Sequence, residues 1–188
     1  MRKNNYKPRI LPIRIYGDKV LRLTAKPVEK FTIEIKNFIK DLVKTMYVSD
    51  GVGLSAPQVG RSLRIFVIDN EWVQKGEKRN PKVFVNPQII KMDSEAVNEE
   101  GCLSLPEIFD KVRRSEYIEI EALDENGKKV NYKTDGLLCR AIQHENDHLD
   151  GILFIDHLPK LKLLTHKLKL KSISKTTDEF GVNRRYVD

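Results

Sequence analysis

Ile35, Phe38, Ile39, Leu42, Val43 and Met46 recur at helical spacing and fall on one face, with Thr32 placed to cap the segment and Asp50-Gly51 to end it near Ser49. The period then changes. Leu63 to Asp69 and Lys82 to Ile90 read as strands, the second starting directly after Pro81. Tyr117 to Leu123 and Lys128 to Tyr132 flank Asp124-Glu125-Asn126-Gly127, and the Asn-Gly step supplies the positive φ angles of a tight turn, so the pair predicts a β-hairpin. Asp135 stands at an N-cap position ahead of a helix from about Gly136 to Leu149, which Asp150-Gly151 terminates. A helix, several strands and a second helix in that order predict an α+β fold with a mainly antiparallel sheet.

The segment PKLKLLTHKLKLKS carries both periods. Leu161, Leu164 and Leu168 fit a helix, whereas Lys167 to Lys171 alternates as a half-buried strand would. We read helix as far as Leu168, and expect either a mobile tail or an edge strand from Thr177. No repeat or break in composition divides the chain, so residues 1–188 are expected to form a single catalytic domain with a basic C-terminal extension from about 160.

Composition adds limits. At 188 residues, with 40% hydrophobic and 32% charged residues, the chain has the make-up of an ordinary globular protein. Its longest apolar runs, Ile65 to Ile68 and Ile152 to Ile155, are too short to span a bilayer, and the basic N-terminus is not followed by the apolar core of a signal peptide. A cytoplasmic location is expected, with no membrane contact. Two cysteines, Cys102 and Cys139, make no disulfide framework. The formal net charge is +7, yet residues 1–30 hold nine Lys or Arg against two acids and residues 158–188 hold eight against three, while the middle is acidic. Basic ends keep a protein soluble, and they also suit a polyanionic partner, RNA before DNA.

The chemistry concentrates in QHENDHLDG, Gln143 to Gly151. On a helix His144 and His148 lie about 40° apart and Glu145 about 60° from His148, so all three can face one cleft as metal ligands and base. No histidine or acid follows at the spacing that usually completes an H-E-x-x-H site; His157 is past a Gly turn, and the next glutamate is Glu179. Cys139 on the same helix points some 140° to 180° away. Cys102, in EEGCLSLPE, is the remaining thiolate donor, and one sulfur with two imidazoles matches the three protein ligands of a catalytic metal. In DGVGLSAPQVG, Gly51 and Gly53 allow a backbone to approach a ligand, and Gln58 offers an amide N–H donor.

GVGLSAPQ, EGCLS and QHENDHLDG, in this order and at these intervals, closely resemble the three signature motifs of the peptide deformylases, over residues 8 to about 158. That resemblance implies an α+β fold with antiparallel sheets around a central metal-binding helix. It also implies a hydrolase that removes the N-formyl group from the N-terminal methionine of newly made polypeptides. By likeness, Cys102, His144 and His148 hold the metal, Glu145 is the general acid/base, and Gln58 with the Leu103 N–H forms the oxyanion hole. Val52, Gly53, Leu54, Gly101, Leu137 and Arg140 would line the substrate site. The family implies one divalent ion, Fe2+ in the cell, with Zn2+, Ni2+ or Co2+ in purified protein. The implied partners are a formyl-Met nascent peptide and, through the basic termini, the ribosome. The chain departs at Ser55, where alanine is common, and at Ile108-Phe109, where some members place a substrate-contacting arginine. Two rivals remain at this point: a metallopeptidase cutting internal bonds, and a non-enzymatic RNA-binding module with a structural metal.

Overall fold

A computed structural model describes residues 6–72 and 78–176, and the backbone of 184–185. At its centre is a five-stranded antiparallel sheet in the order β2 (Gly53–Ser55), β3 (Ile65–Ile68), β4 (Lys82–Asp93), β7 (Tyr117–Leu123) and β8 (Lys129–Asp135). β5 (Ala96–Cys102) and β6 (Leu105–Arg114) form a separate hairpin, and β1 (Ile13–Arg14) pairs with β9 (Arg184–Arg185).

β3 explains how the sheet is covered. Its Ile65 and Val67 join Phe38, Ile39, Leu42 and Met46 of α1 (Ile33–Val48), while Phe66 and Ile68 join Cys139, Ile142 and Leu149 of α2 (Gly136–Leu149). Helices therefore close both faces, and a strand covered on both faces is apolar throughout instead of alternating. The third apolar cluster lies under the β5–β6 hairpin, where Leu105, Ile108 and Val112 meet Leu153, Phe154 and Ile155. α2 thus runs among strands of two sheets, which is the central helix that the family resemblance implied.

Most elements lie where the pattern put them. α1 starts at its expected cap, Thr32 Oγ1 accepting from the Ile35 N–H at 3.4 Å. α2 spans the expected residues, but the Asp135 carboxylate makes no capping bond. Instead β8 runs straight into the helix, and Gly136, at φ +58°, turns the corner in a conformation that favours glycine.

Three segments differ from expectation. Gly53 to Ser55, in a segment whose glycines by themselves suggest a loop, is a strand paired to β3. Residues 96–114, for which the pattern along the chain predicts no strand, form the β5–β6 hairpin. Its period-2 signal is broken because Gly101 faces Phe109 while Cys102 faces Leu105, and Glu107 sits at φ +60° in the resulting bulge. The C-terminal helix α3 (Lys160–Ile173) continues beyond Leu168, because Leu170 and Ile173 are buried with Leu105 and Ile108. Ionic contacts hold it to the same hairpin: the His166 ring N–H donates to Asp110 at 2.8 Å, and Lys169 pairs with Glu107. The extension from residue 160 therefore begins as part of the packed structure. Of the expected mobile tail or edge strand, the described part is the antiparallel pairing of Arg184–Arg185 with Ile13–Arg14; residues 177–183 and 186–188 lie outside the described residues. Among the described residues no helix is long and apolar enough to cross a membrane.

Candidate active site and metal centre

Cys102 ends β5, and the two histidines stand one turn apart on α2. Packing of the hairpin against α2 brings the three together, so that one ligand atom from each of Cys102, His144 and His148 lies within 4.8 Å of the others. Cys102 Sγ is 3.3 Å from His148 Nε2. The rings of His144 and His148 are 5.1 Å apart and nearly perpendicular, as side chains at i and i+4 converging on one point would be. Cys139 is buried on the opposite side of α2, its thiol donating to the Ser115 carbonyl at 3.3 Å.

One of the two imidazoles is oriented by a buried ionic network that spacing along the chain did not reveal. His144 Nδ1 donates to Glu100 Oε2 at 3.0 Å, which leaves Nε2 with its lone pair for a cation. Glu100 is itself gripped by Arg114 through Nε at 2.6 Å and Nη2 at 3.0 Å, and by Arg140 Nη1 at 2.6 Å. Arg114 also reaches Asp147 at 2.8 Å, and Asp147 accepts from His157 Nε2 at 2.7 Å. Burial opposes ionisation of Glu100, but the hydrogen bonds from His144 and Arg114 prevail and hold its carboxyl well below the usual range. Burial keeps His148 neutral by lowering its pKa well below the ordinary value. One sulfur and two imidazole nitrogens, one ring already held in the donor tautomer, fit a first-row divalent cation and leave a coordination position for substrate chemistry. His157 lies in the outer part of this network and not among the ligands.

Glu145 is enclosed beside this group. Its Oε2 has no hydrogen-bond partner among the described residues, and desolvation raises its pKa to about 7. Gly53 explains how it fits: a Cβ at that position would stand 2.6 Å from Glu145 Oε1. Gln58, 1% exposed, is oriented without ambiguity. Its Oε1 accepts from the Ser55 N–H at 2.9 Å and the Ser55 hydroxyl at 2.8 Å, which turns the amide N–H group to Cys102 Sγ at 3.4 Å and Ser104 Oγ at 3.3 Å. Ser55 thus supplies a hydroxyl that holds the amide from behind.

A cavity of about 440 Å³ opens over these groups, and Val52, Gly53, Gly101, Leu103, Leu137 and Arg140 all line it. Leu54 does not. It is fully buried against α1, because strand alternation sends it to the face opposite Gly53 and Ser55. Arg140 lines the wall as a brace, its guanidinium held by Glu100, Val112 O at 3.1 Å and Ala96 O at 3.0 Å. Sequence reasoning passed over several lining residues, Glu100 and Ala141 among them. The acid two positions before Cys102 was the available clue to the first; nothing local pointed to the second.

The polypeptide deformylase family model matches residues 10–163. A peptide deformylase of Psychrobacter cryohalolentis is 42% identical over 173 residues, 92% of each chain. The crystal structure of a peptide deformylase from Legionella pneumophila superposes with a TM-score of 0.81 at 44% identity, covering 87% of this chain and 94% of that one. That from Ehrlichia chaffeensis in complex with actinonin gives 0.82 at 35%, covering 89% and 99%. With motifs, fold and buried donor cluster all in agreement, the chain belongs to the polypeptide deformylase family.

Proposed function

We infer that this cavity performs the family's reaction, the metal-dependent hydrolysis of the N-formyl group from the terminal methionine of new polypeptides, with release of formate. The observation that carries this reading is the enclosed Glu145 carboxylate, one oxygen unpartnered, beside three converging metal donors.

Cys102, His144 and His148 would hold the cation, and when bound it supplies Lewis-acid polarisation and lowers the pKa of water toward about 7. Glu145 takes the proton of the attacking water, for which a pKa raised to about 7 is well matched at neutral pH. As the new C–O bond forms, charge grows on the formyl oxygen, and the Gln58 amide and the Leu103 N–H are its donors. Each such donor is typically worth about 10²-fold to 10³-fold in rate. The C–N bond then breaks as Glu145 returns its proton to the leaving amine. Val52, Gly53, Gly101 and Leu137 make room for the methionine side chain, while Arg140 stiffens the wall. The whole chain is proposed to act as one catalytic domain. Comparing formate release from a formyl-Met peptide with acetate release from its acetyl twin tests the reading: the formyl peptide is turned over and the acetyl peptide is not. Equal cleavage of both, or cleavage of internal bonds instead, would refute it.

Ferrous iron is the proposed ion in the cell, with zinc, nickel or cobalt in purified protein. The adjacent thiolate makes this testable. Peroxide should inactivate an iron-loaded sample and leave sulfinic or sulfonic acid at Cys102 by mass spectrometry, while the zinc form survives. Retention of full activity by the iron form after hours in peroxide would argue against iron at this thiolate.

The proposed site of action is the cytoplasm, at the ribosome. α3 supports this by turning Leu161, Leu164 and Leu168 to solvent between lysines 160, 167 and 171 on one side and 162 and 169 on the other. Because Leu170 and Ile173 on its inner side are core residues, truncation is a poor test. Changing Lys160, Lys167 and Lys171 together to Glu should weaken salt-sensitive ribosome binding while small-peptide turnover persists. Unchanged sedimentation with ribosomes would exclude this surface.

A further inference from the structure

Phe109 is 60% exposed, and it lies on the cavity wall. It is not a loose side chain. Across the β5–β6 hairpin it faces Gly101, and its ring lies so close over that residue that a Cβ there would meet Cε1 at 2.4 Å. The absent side chain at 101 is what seats the ring, directly beside the backbone that leads into Cys102. Leu103 and Pro106 extend the same apolar wall, and Leu137, half exposed, stands among the other lining residues.

We propose that Phe109 is a specificity-determining residue, which selects peptides carrying an apolar side chain at one of the two positions after the formylated methionine. This rests on the function inferred above. If the formyl carbon is held at Cys102 and His144, a ring over the neighbouring residue lies one or two residues further along an extended peptide, at about 3.3 Å per residue. Phenylalanine offers that peptide no hydrogen bond. What it offers is a fixed apolar surface already wet by solvent, and covering it with an aliphatic side chain removes water from both partners. Asp50, Glu99 and Glu107 also line the cavity, so an acidic side chain at these positions would meet like charge.

The test compares formyl-Met-Ala-Ala, formyl-Met-Leu-Ala and formyl-Met-Ala-Leu. One leucine peptide should show a KM about five- to ten-fold lower than the alanine peptide, as covering an exposed ring edge provides, with kcat little changed. Phe109→Ala should bring that ratio to about one, and Phe109→Tyr, which keeps the ring, should retain it. Calorimetric binding of the deformylated products Met-Leu-Ala, Met-Ala-Leu and Met-Ala-Ala reads the same ratio independently of turnover. Equal KM values in an active wild type, or an undiminished ratio in Phe109→Ala, would overturn the inference alone. No formate from any of the three peptides would overturn it together with the function on which it rests.

Discussion

Glu145→Gln should reduce formate release by about 10²-fold to 10⁴-fold, the range of a lost general acid–base group, while the protein keeps its fold and its bound metal. The amide is nearly the same size as the carboxyl, so the space beneath Gly53 is still filled. It cannot accept and return a proton. Because burial already penalises the charged form of this side chain, the variant should be no less stable than wild type. Measuring kcat, metal content and the thermal midpoint on one preparation separates the outcomes. A variant with near-normal kcat would remove Glu145 from the chemistry, and loss of metal in step with activity would make it a structural support for the ligands instead.

Arg114→Met should be the most destabilising single change at the network behind the metal group, at about 3–5 kcal/mol, because it removes both buried bonds to Glu100 and the one to Asp147, leaving Glu100 to Arg140 and His144. The side chains of Arg114 and Glu100 are 3% and 5% exposed. Its sequence neighbour makes the control. Arg113 pairs with Glu95 at 3.1 Å, but both side chains are more than half exposed, and Arg113→Met should change stability by no more than about 1 kcal/mol. Denaturant unfolding of the two variants checks the contrast. Metal affinity should fall about 10-fold to 100-fold in Arg114→Met only, since Glu100, held by Arg140 alone, would orient His144 less firmly. A loss in Arg114→Met no larger than in Arg113→Met would mean that solvent or rearrangement replaces the buried pair.

These two positions also mark what could be read along the chain. Glu145 was legible because its relation to His144 and His148 is local: helical geometry alone puts the three together. Cys102 was reached by discarding other donors. The α1 and α2 helices and the β7–β8 hairpin were legible for the same reason, their hydrophobic periods being unbroken and their ends marked by turn residues. Arg114 was not, since its pairing with Glu100 depends on the register of a hairpin whose bulge at Glu107 hides the period. Leu54 shows the opposite failure. Its motif neighbours reach the cavity, but one step along a strand reverses the side chain, and likeness of motif carries no information about which face a residue takes. The helical reading of the C-terminal segment stopped too early because alternation of Lys and Leu over five residues fits a strand as well as it fits a helix buried at Leu170 and exposed at Leu168.

The anchoring of α3 bears on how the enzyme comes into being. Leu170 and Ile173 complete the apolar floor beneath Leu105 and Ile108, in the hairpin that presents Cys102. During synthesis that part of the floor stays uncovered until residue 173 has left the exit tunnel, so the hairpin that presents Cys102 gains its full apolar cover only after both histidines have emerged. The last pieces of that cover come from a segment downstream of every residue proposed to perform the chemistry.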